Sequence, residues 1–323
     1  MRTQDIRGSH LNMAQWQRSF ILVGVLIAIF LAAAAVSRES ALPGREAESN
    51  IPRFIRVGTG EPAIRADAVL VKRMKSGEVL FERNAGERLP MASLTKLMTA
   101  LLLVELGEPL ALVEFSEAAK SALQPDDKKS SVRAGDNLRA EDILKLLIIS
   151  SDSDAAYAAA EHVAIAEQPL LRDASFRERL DFFAALMNER ARALGLSDTQ
   201  FSNPTGNDDP AQFSTAHDLA RLAGIIVASH PELWTFSRTQ ELFVFGRDGE
   251  RYGVVNTNPL LAEYPAIYGS KTGFDDEAKG TLLLLYQIAP GDLVASVLLS
   301  SPDRFSDGRA LIRWLEASFQ FEQ

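Results

Sequence analysis

Residues 281–299 read TLLLLYQIAPGDLVASVLL. Two strand-like runs, Thr281–Ile288 and Leu293–Leu299, flank Pro290-Gly291-Asp292, the pattern of two strands joined by a tight turn. Working outward, the same pattern places Leu242–Phe245 and Tyr252–Asn256 around Asp248-Gly249, and Ala68–Val71 and Glu78–Phe81 around Lys75-Ser76-Gly77. Between the early and late strands the apolar spacing becomes helical at Ser93–Leu106, Ala140–Ile149, Asp154–Ala164, Phe176–Leu194 and Thr215–Ser229. A last amphipathic helix, from Asp303 to about Phe319, carries Leu311, Ile312, Trp314 and Leu315 on its apolar side. Strands at both ends with helices inserted between them, and hairpins in place of βαβ crossovers, predict an α+β domain with a mainly antiparallel sheet and flanking helices. There is no internal repeat.

Composition removes several functional classes. The chain has 323 residues, of which 46% are hydrophobic, enough for a folded core in one or two domains. A net charge of -9 without a Lys/Arg cluster argues against nucleic acid as a partner. The absence of cysteine rules out a thiol nucleophile, disulfides and thiolate zinc sites. The histidines, His10, His162, His217 and His230, show no HExxH-type spacing, so neither metal nor organic cofactor is suggested.

Phe20–Val36 is an uninterrupted apolar run preceded by Arg2, Arg7 and Arg18. It is long enough to span a bilayer and slightly long for a signal-peptide core. Ala32–Ala35 could precede a cleavage site, whereas the polar stretch ahead of the run is long for a signal unless translation starts at Met13; an uncleaved anchor is the preferred reading. The positive flank puts residues 1–19 in the cytoplasm, 20–36 in the membrane as anchor or signal segment, and everything after them outside. Residues 37–62, polar and broken by Pro43, Gly44, Pro52, Gly58 and Gly60, are expected to be a flexible spacer, leaving 63–323 as the folded domain that carries the motifs below.

Three short motifs carry chemistry. Pro90-Met91-Ala92-Ser93-Leu94-Thr95-Lys96 places a serine at a helix start with a lysine one turn later, so a desolvated amine can take the serine proton. The helix start adds N–H groups and positive dipole suited to an oxyanion. Ser150-Ser151-Asp152-Ser153-Asp154 forms a polar knot between the apolar Leu146–Ile149 and a helix; taken alone it reads as an N-cap at Ser153 or Asp154. Tyr268-Gly269-Ser270-Lys271-Thr272-Gly273-Phe274 can offer a cation and a hydroxyl to a carboxylate, with Gly273 admitting a substrate backbone. Each motif has an ordinary structural explanation; the three together, in this order, do not.

The set resembles that of the low-molecular-weight penicillin-binding proteins, serine-type D-alanyl-D-alanine carboxypeptidases of the β-lactamase/transpeptidase-like superfamily. The likeness runs from about Ala68 to Leu315 and includes Gly77–Phe81, Phe201-Ser202-Asn203-Pro204-Thr205-Gly206, Ser214–Ala220 and Asn256–Leu261. It implies an antiparallel sheet with an inserted helical subdomain, and a location on the extracytoplasmic face of the bacterial cell envelope. It also implies a peptidoglycan stem peptide as substrate and β-lactams as covalent inhibitors. Residue by residue, it makes Ser93 the nucleophile, Lys96 its proton acceptor, and Ser151 the relay to the leaving amine. Lys271 and Thr272 would hold the terminal carboxylate, and the backbone N–H groups of Ser93 and Phe274 would form the oxyanion hole.

A β-lactamase would need a glutamate-activated water, and no Glu-x-x-Leu-Asn stretch is present. An endopeptidase acting on crosslinks could use the same site. A catalytically silent cell-wall binder has one point in its favour: the family's Ser-x-Asn is here Ser151-Asp152-Ser153. A serine hydroxyl has one proton to give where an asparagine amide both accepts and donates, so acylation is expected to be reduced but not abolished. Ser153→Asn is therefore expected to raise the rate of acylation of Ser93; an unchanged rate removes this position as the limit on the chemistry.

Overall fold

The computed structural model describes residues 53–58 and 60–322 of the chain. Its first strands are β1 (Arg53–Arg56), β2 (Ala68–Arg73) and β3 (Val79–Arg83). A 3₁₀ turn, Ala92–Thr95, leads directly into α1 (Lys96–Leu106). There follow β4 (Leu112–Glu114), α2 (Glu117–Ser121), β5 (Asn137–Arg139) and α3 (Ala140–Lys145), the last continued by a π-helical turn, Leu146–Ser150. Helices α4 (Ser153–Glu167), α5 (Phe176–Ala193), α6 (Ala216–Ser229) and α7 (Pro231–Ser237) complete the insertion. The chain then returns through β6 (Glu241–Phe245), β7 (Arg251–Val255), β8 (Ile267–Asp275), β9 (Lys279–Ala289) and β10 (Asp292–Ser301) to α8 (Arg304–Ser318) and β11 (Phe319–Glu322).

The main sheet has the order β3-β2-β10-β9-β8, and every neighbouring pair is antiparallel. The hairpin through Gly291, at φ 72, puts β9 and β10 at its centre. Val297 lies opposite Leu283 on one side and Leu70 on the other. The run Leu282–Leu285 lacks alternation because β9 is covered on both faces. Leu283 and Leu285 join the helical core with Leu94, Leu97, Met98 and Leu101. On the other face, the space beside Gly308 of α8 is filled by Leu282 and Leu284. α1 is buried from Lys96 through Leu103, as expected of a helix apolar nearly all round.

The chain divides into two compact units, of which residues 56–319 hold the sheet and helices just described. In the other, the described part belongs to the two-stranded pairing of β1 with β11. Arg53–Arg56, expected as spacer, is thus strand; a four-residue segment whose partner is at the other end of the chain leaves no periodic signal. The apolar run 20–36 and most of the expected spacer lie outside the described residues, and no helix among the described residues is long and apolar enough to cross a membrane.

Leu283 is fully buried and faces the helical core. Leu283→Ala is expected to cost about 2–5 kcal/mol of unfolding free energy. The check is a lower urea midpoint at unchanged slope.

Candidate active site

Ser93 sits in the 3₁₀ turn just ahead of α1, one turn before Lys96. The turn is strained: Ala92 has φ 46, a left-handed conformation that L residues adopt at a cost of order 1–3 kcal/mol. Lys96 is fully buried, and its amine donates to Ser93 Oγ at 3.0 Å, to Thr205 O at 2.6 Å and to Ser153 Oγ at 3.3 Å. Burial pulls its pKa down to about 8, against the pull of Asp127, Asp152, Asp154 and Asp275, which favour the ammonium. Near neutral pH a useful fraction of the amine is therefore unprotonated. A neutral amine has two protons, which Thr205 and Ser153 can accept, and one lone pair left for the Ser93 proton.

The Thr205 carbonyl is presented by the segment 201–206. Asn203 Oδ1 accepts from Thr205 N at 3.2 Å, Thr205 Oγ1 at 2.9 Å and Gly206 N at 2.8 Å, which folds the segment onto itself. Thr99 Oγ1, one turn along α1, donates to Pro204 O at 2.7 Å. Gly206 passes so close to Ala92 that an added Cβ would lie 2.1 Å from its carbonyl oxygen. A stretch singled out by resemblance thus has a physical task that no catalytic side chain in it announces.

The second motif follows the π-helical turn. Ser151 takes a left-handed conformation, φ 66, and its hydroxyl accepts from Lys271 Nζ at 2.7 Å. The helix N-cap proves to be Asp152, with no side-chain capping bond, instead of Ser153 or Asp154. Those two side chains are committed elsewhere. Ser153 Oγ donates to Asp127 Oδ1 at 2.8 Å, while Asp154 receives Lys120 Nζ at 2.5 Å and Ser130 Oγ at 2.7 Å, pinning α2 and the loop that follows it. Burial raises Asp152 to about 6.

The third motif lies within β8, so that Ser270, Lys271, Thr272 and Gly273 line up along the strand beside the 3₁₀ turn. A Cβ on Gly273 would lie 2.8 Å from Ser93 N and 2.4 Å from Thr281 Oγ1, so only glycine allows this approach. Lys271 is fully buried; its amine donates to Ser151 Oγ and, at 2.9 Å, to Thr272 O. Burial first, and then the nearby Lys96, depress its pKa well below the usual lysine value. Thr272 Oγ1 is 2.6 Å from Thr257 Oγ1. Phe274 is exposed and, with Ser93, borders both openings of the cleft.

Ser93, Lys96, Ser151, Ser153, Lys271, Thr272, Gly273 and Phe274 are therefore brought together. Sequence reasoning missed Arg304, at the start of α8, which lines the cleft with Ser93, Thr272 and Phe274. Its guanidinium lies 5.4 Å from the Phe274 ring centre and 4.5 Å from that of Phe305, and burial lowers its pKa. An arginine opening an ordinary amphipathic helix gives no motif to find. Asp127 was missed as well, in a loop without apolar periodicity.

Fold and site define a class: a β-lactamase/transpeptidase-like domain with a serine and a buried lysine paired in its cleft. The comparisons agree. A family model described as D-alanyl-D-alanine carboxypeptidase matches residues 56–301, and the chain belongs to that family. It is 30% identical over 223 residues to the D-alanyl-D-alanine carboxypeptidase DacF of Bacillus subtilis, covering 68% of this chain and 54% of that one. With a D-alanyl-D-alanine endopeptidase of Pseudomonas aeruginosa it shares 32% identity over 297 residues, covering 90% of this chain and 87% of the relative. Among solved structures it resembles the Streptomyces K15 DD-transpeptidase, with TM-score 0.72 and 25% identity over 80% of this chain and 100% of the other. The chain thus spans little more than half the length of the Bacillus relative.

The titration of Lys96 predicts the pH dependence of acylation. Its base form appears as pH rises through about 8, so the acylation rate should climb over that range and level off above it. A rate already level from pH 6 upward, measured by stopped-flow labelling, contradicts a lysine base.

Proposed function

We propose that this chain is a serine D-alanyl-D-alanine carboxypeptidase that removes the terminal D-alanine from peptidoglycan stem peptides. The reading rests chiefly on one observation: a fully buried lysine amine, depressed toward neutrality, lies 3.0 Å from the hydroxyl of Ser93. Lys96 takes the Ser93 proton as Oγ attacks the carbonyl carbon between the two D-alanines. The backbone N–H groups of Ser93 and Phe274 are assigned to the oxyanion, at the close approach that Gly273 allows. Collapse breaks the C–N bond while Ser151 passes its proton to the leaving amine and takes one from Lys271, to which it is bonded. Water then cleaves the ester, giving a proton back to Lys271 through Ser151, while Lys96 returns the proton it took to Ser93 as the shortened peptide leaves. The free terminal carboxylate of the substrate or of a β-lactam, expected at Lys271 and Thr272, is assigned to Thr272 and Arg304, which offer a hydroxyl and a guanidinium on the cleft wall, because the buried Lys271 amine is committed to Ser151 and to the Thr272 carbonyl.

Cleavage of crosslinks is a second reading, favoured by the extent of the likeness to the Pseudomonas endopeptidase. The positive residues ahead of the apolar run 20–36 support an extracytoplasmic catalytic domain, held to the membrane by that segment or released by its cleavage. Incubation of the fragment from Pro62 onward with a fluorescent penicillin should give a stable adduct, absent in Ser93→Ala and Lys96→Ala, and the fragment should release D-alanine from a peptide ending in D-Ala-D-Ala. A folded fragment that takes no label would rule out the acyl-transfer reading in favour of a silent binder.

A further inference from the structure

Ser153 stands where the resemblance places an asparagine, and the structure shows how its single proton is used. Its oxygen is 3.3 Å from the Lys96 amine and 2.8 Å from Asp127 Oδ1. An ionised carboxylate can only accept, so the Ser153 proton goes to Asp127 and its lone pairs turn toward Lys96. Asp127 is itself held in place. Its Oδ2 accepts from Gln124 N at 2.7 Å and from Asn207 Nδ2 at 3.2 Å. The neighbouring Lys128 carbonyl accepts from Ser153 N at 2.7 Å, tying the same loop to the start of α4.

We propose that Asp127 is a positioning residue of the acyl-transfer site: by taking the Ser153 proton it makes Ser153 an acceptor for Lys96 and leaves the lysine lone pair to Ser93. The proposal rests on the reading of Lys96 as the base. Without the carboxylate, the Ser153 hydroxyl is free to rotate and donate to the neutral amine, occupying the lone pair that must take the Ser93 proton. In a family-type site the amide supplies this polarity covalently, with a carbonyl on one side and N–H groups on the other. Ser153 and Asp127 together reproduce that polarity from two residues. The arrangement also explains how a site that departs from the family pattern at Ser153 can keep its base correctly directed.

Asp127 acts on Lys96 through charge as well, in company with other groups. Asp152 and Asp154 at the start of α4 and Asp275 at the end of β8 favour the ammonium, and Lys96 in turn depresses the proton affinity of Lys271 on β8. Tyr157 on α4 also senses the Asp127 charge. Removing one of four carboxylates should lower the pKa of Lys96 and move the rising limb of the pH profile to lower pH.

The test is a double-mutant cycle read by penicillin acylation of Ser93 across pH. Asp127→Asn is expected to slow acylation by about tenfold at the plateau, with the limb shifted downward, whereas in a Ser153→Asn background the same change should cost less than about threefold. Asp127→Ala, which can neither accept nor donate, should follow the same pattern, and thermal melts of every variant establish that the compared proteins are folded. Equal losses in both backgrounds would show Asp127 to be only a loop anchor and overturn the proposal, as would an unchanged rate and limb in Asp127→Asn. Failure of the base reading is seen separately, as undiminished labelling in Lys96→Ala.

Discussion

The amine of Lys96, held dry against the hydroxyl of Ser93, is the constraint around which the molecule is arranged. An amine can serve as a base near neutral pH only when burial disfavours its charge, and burial in turn requires that each of its hydrogens find an acceptor. α1 meets the first need by being enclosed from Lys96 to Leu103 between the sheet and the other helices. The Thr205 carbonyl and the Ser153 hydroxyl meet the second. Both are supplied by segments far along the chain, and each depends on local devices of its own: the Asn203 bonds that shape the 201–206 segment, and the loop that delivers Asp127.

Two buried lysines in one cleft sharpen the effect. Lys271 lies close enough to Lys96 to depress its own affinity for a proton, and both being charged at once is expensive in a dry site. Ser151 bonds to Lys271 and Ser153 to Lys96, so the polar knot gives each lysine its own hydroxyl. The cleft mouth is uneven in charge. Asp126 and Lys128 border both openings, Asp208, Asp275 and Asp276 the one beside Asn207, and Arg304 the one beside Thr257 and Thr272. Burial and a hydrogen bond with Asp208 raise Asp275 to about 7.

Two of the left-handed residues lie beside the candidate site, while Asn84, Lys279 and Ser300 take positive φ elsewhere. Ala92 and Ser151 both take left-handed conformations without being glycine, one beside Ser93 and the other at the end of the π-helical turn. Such positions persist only when their surroundings over-determine them. Here the surroundings are the enclosed α1, the β8 strand approaching through Gly273, and the 201–206 segment pressing through Gly206. The sheet and helical core bear the cost of that strain and hold the site to its geometry.

Much of this was legible in the residues themselves. The hairpins around Gly77, Gly249 and Gly291, the helical spacing after Ser93 and the order of the three motifs are local patterns, and local patterns are what periodicity and turn chemistry reveal. The short pairing of Leu112–Glu114 with Asn137–Arg139 and that of Arg53–Arg56 with Phe319–Glu322 were not legible, because each strand is too brief to show a period and gains its hydrogen bonds from a distant segment. The same distinction governs the site. The sequence by itself determined the fold class and singled out Ser93, Lys96 and the Lys271 strand motif, since those depend on residue type at fixed spacing. Only the tertiary structure decided that Thr205 offers its carbonyl to Lys96, that Arg304 faces the cleft and that Asp127 takes the proton of Ser153, because hydrogen bonding and desolvation act between neighbours in space, whatever their separation along the chain.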